Sequence, residues 1–205
     1  MSLRNLLIAM VCISTAGAAA GDDGDLPLSP GTEAPGFIAT TLEGIPVSLE
    51  QWEGRVVVLN YFITWYRDAG EHLRMMEALQ TAYSQEGMRL VSISLDEGER
   101  AMDEAGELVR KHEIAHPVIL DPEHQIAGSY GVRALPAIFV IDRSGNIAHY
   151  HEGYTEGDAR RLSRAIAAAL EVEEAIMDVE ETEVVEVAPE EPEKPVCNCF
   201  RPQEQ

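Results

Sequence analysis

The sequence has little positive charge and no long hydrophobic run. Lys and Arg number 15 against 36 Asp and Glu, which gives a formal net charge of −21. Nucleic acids and anionic membrane surfaces would repel such a chain, so the composition argues against both as partners. The apolar stretch near the start, residues 6–13, is shorter than the ~20 residues that a membrane-spanning helix needs. We therefore expect no membrane span in the mature chain.

The first twenty residues have the pattern of a cleaved secretory signal. Arg4 precedes the apolar stretch, and Ala18 and Ala20 stand in an A-x-A relation in the small-residue segment that follows. This order of a basic, an apolar and a small-residue region is typical of export signals. We expect residues 1–20 to be removed, together with Cys12, and the mature protein to be periplasmic or secreted.

Cysteine is scarce, and the mature chain keeps only Cys197 and Cys199. Both lie near the end of segment 173–205, whose many glutamates and several prolines predict a disordered acidic tail. A C-x-C disulfide closes a small, strained ring, which favours an oxidising redox pair in a compartment that permits disulfides. The same two thiolates would also suit copper(I). An intermolecular cross-link, or no function at all, is the simpler interpretation.

Residues 33–172 are predicted to form one α/β domain. Apolar, β-branched runs such as Val56–Phe62 alternate with helical patterns, an order that favours a sheet with helical crossovers. Residues 37–49 alternate in polarity and turn at LEGIP, which predicts an N-terminal β-hairpin. Residues 21–32 are rich in Gly, Asp and Pro and are interpreted as a linker.

The predicted helices are placed by their apolar stripes. After Trp65, Leu73 and Met76 begin a stripe at helical spacing that should face the sheet. Asp96 follows the next strand and is expected to cap the second helix. The stripe of that helix is predicted to begin at Met102.

Two segments far apart in the sequence carry the features of a site. VVVLNYFITWYRDAG, residues 56–70, takes a buried strand into a turn led by Trp65 and then into a helix N-terminus. ALPAIFVIDRSGN, residues 134–146, places Pro136 directly before another apolar strand. We expect these segments to meet in the folded protein.

With the upstream GTEAPGFIATTLEGIPVSLEQWEGR, these segments resemble the thioredoxin-like domain of the TlpA/ResA group of exported thiol-disulfide oxidoreductases. The resemblance implies a thioredoxin-like fold of the α/β class, with a central mixed β-sheet flanked by helices. It also implies that Pro136 is cis and lies across from the Trp65 motif. A polypeptide-binding groove would then be formed by Trp65, Tyr66, Leu135 and Pro136.

The sequence departs from this group at the reactive positions. In the group, the Trp is followed by Cys-x-x-Cys, and the first Cys lies at a helix N-terminus that favours the thiolate. Aligned on Trp65, the two cysteine positions hold Tyr66 and Ala69. A phenol cannot replace a thiol in thiol-disulfide exchange, so the group's reaction is not expected at these residues.

Two hypotheses follow from these observations. In the first, the protein is a non-catalytic member that holds a periplasmic or secreted polypeptide in the groove. In the second, it remains a thiol-disulfide oxidoreductase that works through Cys197 and Cys199. Neither hypothesis calls for a cofactor.

A histidine pair gives a weaker indication of metal binding. His149 and His151 point to the same face of a predicted strand, where Glu152 could join them around a metal ion. A solvated strand face is the more common explanation of such spacing. We therefore predict no metal site.

Overall fold

A five-stranded mixed β-sheet carries the elements that surround it. In this computed structural model, residues 27–153 and 157–171 are described. The strands are β1 (Ile38–Thr40), β2 (Pro46–Ser48), β3 (Val56–Phe62), β4 (Met88–Ser94), β5 (Val118–Leu120), β6 (Ala137–Ile141) and β7 (Ile147–Glu152). The helices are α1 (Ala69–Tyr83), α2 (Ala101–Lys111), α3 (Gln125–Ser129) and α4 (Asp158–Leu170), and a 3-10 turn spans Leu49–Trp52.

The sheet has the strand order β5-β4-β3-β6-β7. β3, β4 and β5 run parallel, whereas β6 is antiparallel to β3 and β7 is antiparallel to β6. All seven residues of β3 are buried, which explains why this central strand is a continuous apolar run apart from one asparagine. The expectation of a central mixed sheet flanked by helices is therefore confirmed.

The two faces of β3 bury different side chains because side chains alternate along a strand. Tyr61 faces a cluster that contains Phe37 from the chain before β1 and the rings of Tyr130 and Phe139. Tyr61 meets Phe139 edge-on at a centroid distance of 5.9 Å. On the other face, a second cluster includes Phe62, Leu73 of α1 and Val109 of α2.

The predicted hairpin forms, but two details of α2 differ from the sequence prediction. β1 and β2 pair antiparallel within the expected residues 37–49. Met102 is 50% exposed, and the buried stripe of α2 begins one residue earlier, at Ala101. Asp96 does not cap this helix, since α2 starts five residues later and its N-cap is Arg100. The prediction was wrong because the Asp96 carboxylate accepts hydrogen bonds from Thr64 and Ser94 instead.

The described part of the chain includes no helix that has both the length and the apolarity to span a membrane. The predicted signal segment, residues 1–20, lies outside the described residues. So does the predicted acidic tail, with Cys197 and Cys199. The signal, the tail and the role of its two cysteines remain predictions.

Candidate functional site

The loop between β3 and α1 presents the Trp65 motif. β3 ends at Phe62, and α1 begins at Ala69, which is 2% exposed. The Ala69 amide donates to the Tyr66 carbonyl at 3.0 Å, so the chain is already turning into the helix. Trp65 is 78% exposed, an unusual position for a large aromatic ring. This exposure leaves the ring available to contact another molecule.

Asp96, at the end of β4, holds this loop in place. Its carboxylate accepts the Thr64 amide at 3.0 Å and the Thr64 hydroxyl at 2.7 Å. The Ser94 hydroxyl donates to the same carboxylate at 2.7 Å. Because Asp96 is only 4% exposed, these bonds replace most of its contact with water. The residue before Trp65 is thus anchored to the sheet.

A cis proline forms the opposite wall of the site. The Leu135–Pro136 peptide bond is cis, as the resemblance implied. Between this bond and the start of α1 lies a small space, the cleft, of about 10 Å³. Its lining residues are Phe62, Ile63, Tyr66, Ala69, His72, Leu135 and Pro136.

The structure brings together three of the four residues predicted for the groove. Tyr66, Leu135 and Pro136 line the cleft, whereas Trp65 does not. The cleft also contains Ala69, the second of the two positions aligned with cysteine.

A larger concavity adjoins the cleft. This side pocket has a volume of about 280 Å³ and is lined by Ile63, Leu95, Glu97, His124, Val132, Arg133 and Leu135. Ile63 and Leu135 line both spaces, so the cleft and the side pocket form one continuous surface. The side pocket was not anticipated from the sequence because its walls come from four separate connections.

A row of hydrogen-bonded, buried polar side chains, the polar chain, begins under the cleft. His72 Nε2 lies 2.6 Å from Asn60 Oδ1, and the Asn60 amide donates to Ser92 Oγ at 2.9 Å. Ser92 Oγ in turn lies 2.8 Å from Nε2 of His116, whose Nδ1 is 2.6 Å from the Glu77 carboxylate. The polar chain therefore joins α1 to β3, to β4 and to the connection before β5. It returns to α1 at Glu77.

The direction of these hydrogen bonds fixes both histidine tautomers. Asn60 Oδ1 can only accept, so His72 donates from Nε2. Ser92 Oγ accepts from Asn60, so its own hydrogen is available for His116 Nε2, and His116 donates from Nδ1 to Glu77. Each hydrogen bond then has its donor on the His72 side and its acceptor on the side of the Glu77 carboxylate. Networks of this kind give buried polar groups hydrogen-bond partners and favour one packing arrangement.

Burial controls the protonation of these histidines. Burial lowers the pKa of His72 to about 4, with nearby Asp158 opposing the change and His151 and His116 adding to it. Burial also lowers the pKa of His116, partly offset by its hydrogen bond and charge interaction with Glu77. Both imidazoles are thus neutral at pH 7.

Glu77 is the ionised end of the polar chain. Burial works to raise the pKa of Glu77, but hydrogen bonds from His116 and Ala115 outweigh it and leave the pKa lowered. Its Oε2 accepts the amides of Ala115 and His116, each at 3.0 Å, besides the His116 ring. Glu77 therefore docks the middle of α1 against the segment that leads into β5.

The histidines of β7 lie on one face of the strand, and one of them contacts a buried carboxylate. His149 pairs with Val140 and His151 with Ile138, so both lie on one face of the strand, as predicted. His151 Nε2 contacts the buried Asp158 carboxylate at 3.1 Å. Among residues 27–153 and 157–171, no group of three or more potential ligands could hold a metal ion.

Sequence analysis missed most of the residues beneath the cleft. The signal that could have found them is polarity inside apolar strands: Asn60 in VVVLNYF, and Ser92 and Ser94 in LVSIS. His116 was given no role, yet it is 5% exposed and links β4 to α1. His72 lay within a helical stripe, where its spacing matched that of core residues.

The described ranges contain no cysteine. The helix N-terminus of α1 remains a favourable place for a thiolate. The side chains there are a phenol and a methyl group, neither of which can exchange with a disulfide. The surface around these two positions consists of the cleft, the side pocket and the exposed Trp65 ring.

Comparison with known proteins agrees with the fold. The AhpC/TSA family profile matches residues 30–150. The thiol-disulfide oxidoreductase ResA of Bacillus cereus is 32% identical over 117 residues, which cover 57% of this chain and 66% of that protein. ResA of Bacillus thuringiensis is 31% identical over 123 residues, which cover 60% of this chain and 69% of that protein.

One solved structure is similar to this chain in both fold and sequence. A protein from Chlorobium tepidum, described as a thiol:disulfide interchange protein DsbE, superimposes with a TM-score of 0.65 and 29% identity. The superposition covers 70% of this chain and 99% of that one. With the family profile, the relatives and the solved structure in agreement, the chain belongs to the AhpC/TSA family and, within it, to the ResA-type thioredoxin-like thiol-disulfide oxidoreductases.

Proposed function

We propose that this protein is an exported, non-catalytic member of its family that binds a polypeptide along the cleft. The observation that carries the proposal is the pairing of Tyr66 and Ala69 with the cis Pro136. The cis proline beside the cleft supports a binding role, while the two positions that align with cysteine carry no sulfur.

Backbone geometry supports binding of an extended chain. Residues 133–135 lie between α3 and β6 in no helix or strand, and Leu135 is half-buried beside the cleft. Segments of this kind can pair with a partner's backbone, while adjacent pockets take alternate side chains. The exposed Trp65 ring would supply apolar contact next to them.

Export is supported by the sequence alone. Arg4, the apolar run that follows and the A-x-A pair at residues 18 and 20 form a secretory signal pattern. A periplasmic or secreted polypeptide is therefore the proposed partner. N-terminal sequencing of the protein from its native host should begin near residue 21.

The binding proposal is tested with Trp65→Ala. Labelled decapeptides from a random pool are captured on immobilised mature protein, and the retained fraction is compared between the two forms. We expect retention to fall at least about tenfold in the variant, the loss of roughly 1.4 kcal/mol that one buried aromatic contact can provide. Equal retention by both forms would remove the binding proposal.

The non-catalytic part of the proposal has its own experiment. Reduction of insulin disulfides is measured with the mature protein and with a Cys197→Ser, Cys199→Ser variant. We expect no turnover in either form. Turnover that disappears with the two serines would establish the tail pair as a redox centre. Turnover that persists after both sulfurs are removed would contradict the non-catalytic assignment.

A further inference from the structure

We propose that the side pocket binds a lysine or arginine side chain of the polypeptide that lies along the cleft, and that Glu97 selects its charge. This inference rests on the proposed function and adds the chemical class of the partner: a polypeptide with a basic residue beside the segment held at Leu135. The evidence lies in the pocket's size, its walls and the groups at its polar end.

The size of the side pocket suits one long side chain. Its volume is about 280 Å³. Pockets for complete small-molecule ligands usually measure about 300–1,000 Å³, so this one is at or below the lower limit for such a ligand. Ile63, Leu95 and Val132 contribute apolar walls, against which the methylene stem of a basic side chain would pack.

Two acceptors converge at the polar end of the pocket. His124 Nε2 lies 3.2 Å from the Leu95 carbonyl oxygen and 3.3 Å from Glu97 Oε1. Both oxygens are therefore close to one point. An ammonium group has three donors and a guanidinium has five, so either cation could bond both oxygens at once. The His124 ring already contacts both oxygens, and a cation would bond the lone pairs that remain on them. A neutral apolar side chain could not use those lone pairs, and Glu97 would repel a carboxylate.

The histidine at this end is held in a fixed position. His124 has a φ of 53°, in the left-handed region, directly before α3. Asp121 secures the turn, since its two carboxylate oxygens accept the amides of Gln125 and Ala127, each at 2.9 Å. A polar end that is already ordered loses less entropy when a ligand binds.

Two arginines bring positive charge to this region. Arg133 lines the same pocket as Glu97, and its charge also opposes the rise in the pKa of Tyr150 that burial chiefly causes. Arg100 is engaged with Glu104 at 2.8 Å. The whole chain adds a net charge of −21, which attracts cationic partners.

The pocket lies where a bound chain can reach it. Ile63 and Leu135 belong both to the cleft and to the side pocket. A strand placed beside Leu135 would send side chains alternately toward and away from the protein. One of those directed toward the protein would enter the side pocket.

Three decapeptide pools test the proposal. Each is random among uncharged residues except for one central position, which is Lys, norleucine or Glu. The pools are captured on the immobilised mature protein, on Glu97→Gln and on Glu99→Gln, an exposed carboxylate that serves as the matched control. We expect the protein to retain the Lys pool about five to ten times better than the norleucine pool, as a charge-assisted hydrogen bond predicts, and to retain the Glu pool least.

The outcomes separate this inference from the proposed function. Loss of the Lys preference in Glu97→Gln, with the preference kept in Glu99→Gln, would support it. Equal retention of the Lys and norleucine pools, or an unchanged preference in Glu97→Gln, would overturn it, while Trp65-dependent capture of all pools would still support polypeptide binding. Failure to retain any pool would overturn both proposals.

Discussion

At the scale of single residues, Tyr66 and Ala69 stand at the two positions that align with cysteine in the group that the sequence resembles. Both occupy the turn where β3 passes into α1, next to the cis Pro136. The helix N-terminus does not depend on these side chains, because its free amides and dipole belong to the backbone. The environment that would activate a thiol is therefore still present.

Restoring sulfur at these positions should restore exchange. In a Cys197→Ser, Cys199→Ser background, the Tyr66→Cys, Ala69→Cys double variant should reduce insulin disulfides, whereas the background protein should not. The thiol introduced at residue 66 should have a pKa at least about one unit below 8.5, measured from the pH dependence of iodoacetamide labelling. A folded double variant without turnover would show that Cys-x-x-Cys at this position is not sufficient.

His72 makes the protein sensitive to acid. Its pKa is about 4 in the folded protein and near 6.5 in the unfolded chain. Between these pH values the unfolded state binds the proton more tightly than the folded state does. The free energy of unfolding is therefore not reduced by His72 above pH 6.5, and it falls as the pH drops toward 4. Burial also lowers the pKa of His116, which likewise reduces the free energy of unfolding at acidic pH.

Replacing His72 should flatten this dependence. His72→Gln keeps a donor for Asn60 but cannot be protonated. Urea unfolding at pH 7.5 and pH 4.5, followed by tryptophan fluorescence, should show about 2–3 kcal/mol less loss of stability in the variant than in the parent protein. An identical loss in both proteins would contradict the assignment of the acid sensitivity to His72.

At the scale of elements, Asp96 connects β4 to the loop that carries Trp65. The Asp96 carboxylate is buried and accepts from Thr64 and Ser94. Asp96→Ala would leave these donors without partners. We expect a loss of about 2–4 kcal/mol in the free energy of unfolding and lower fluorescence anisotropy of Trp65.

The matched control is Asp103→Ala, on the exposed first turn of α2. An exposed aspartate in a first helical turn interacts favourably with the helix dipole, so its loss should cost less than about 1 kcal/mol and leave the anisotropy unchanged. Equal effects of the two substitutions would show that the hydrogen bonds of Asp96 do not order the loop.

At the scale of the whole molecule, charge should influence how fast a partner arrives. The net charge of −21 attracts a cationic polypeptide over distances that salt shortens. The association rate of the Lys pool, measured by stopped-flow fluorescence, should fall about threefold between roughly 20 mM and 300 mM NaCl. The norleucine pool should show no such change, and equal salt dependence of the two pools would contradict long-range attraction.

The sequence by itself determined the fold. Strand and helix periodicity in residues 33–172 predicted an α/β domain, and the segments around Trp65 and Pro136 carried a family resemblance that implied the cis bond. Periodicity is local: a buried central strand must be apolar, so it can be seen along the sequence. The absence of cysteine at residues 66 and 69 is visible in the same way.

Only the tertiary structure decided what surrounds the site. The polar chain from His72 to Glu77 joins side chains on a helix, two strands and a connection, and the side pocket takes its walls from four connections. Asp96 was assigned to a cap because the sequence shows which helix follows but not which loop lies across the sheet edge. Contacts between segments distant in the chain have no local signal, since they depend on how the elements pack.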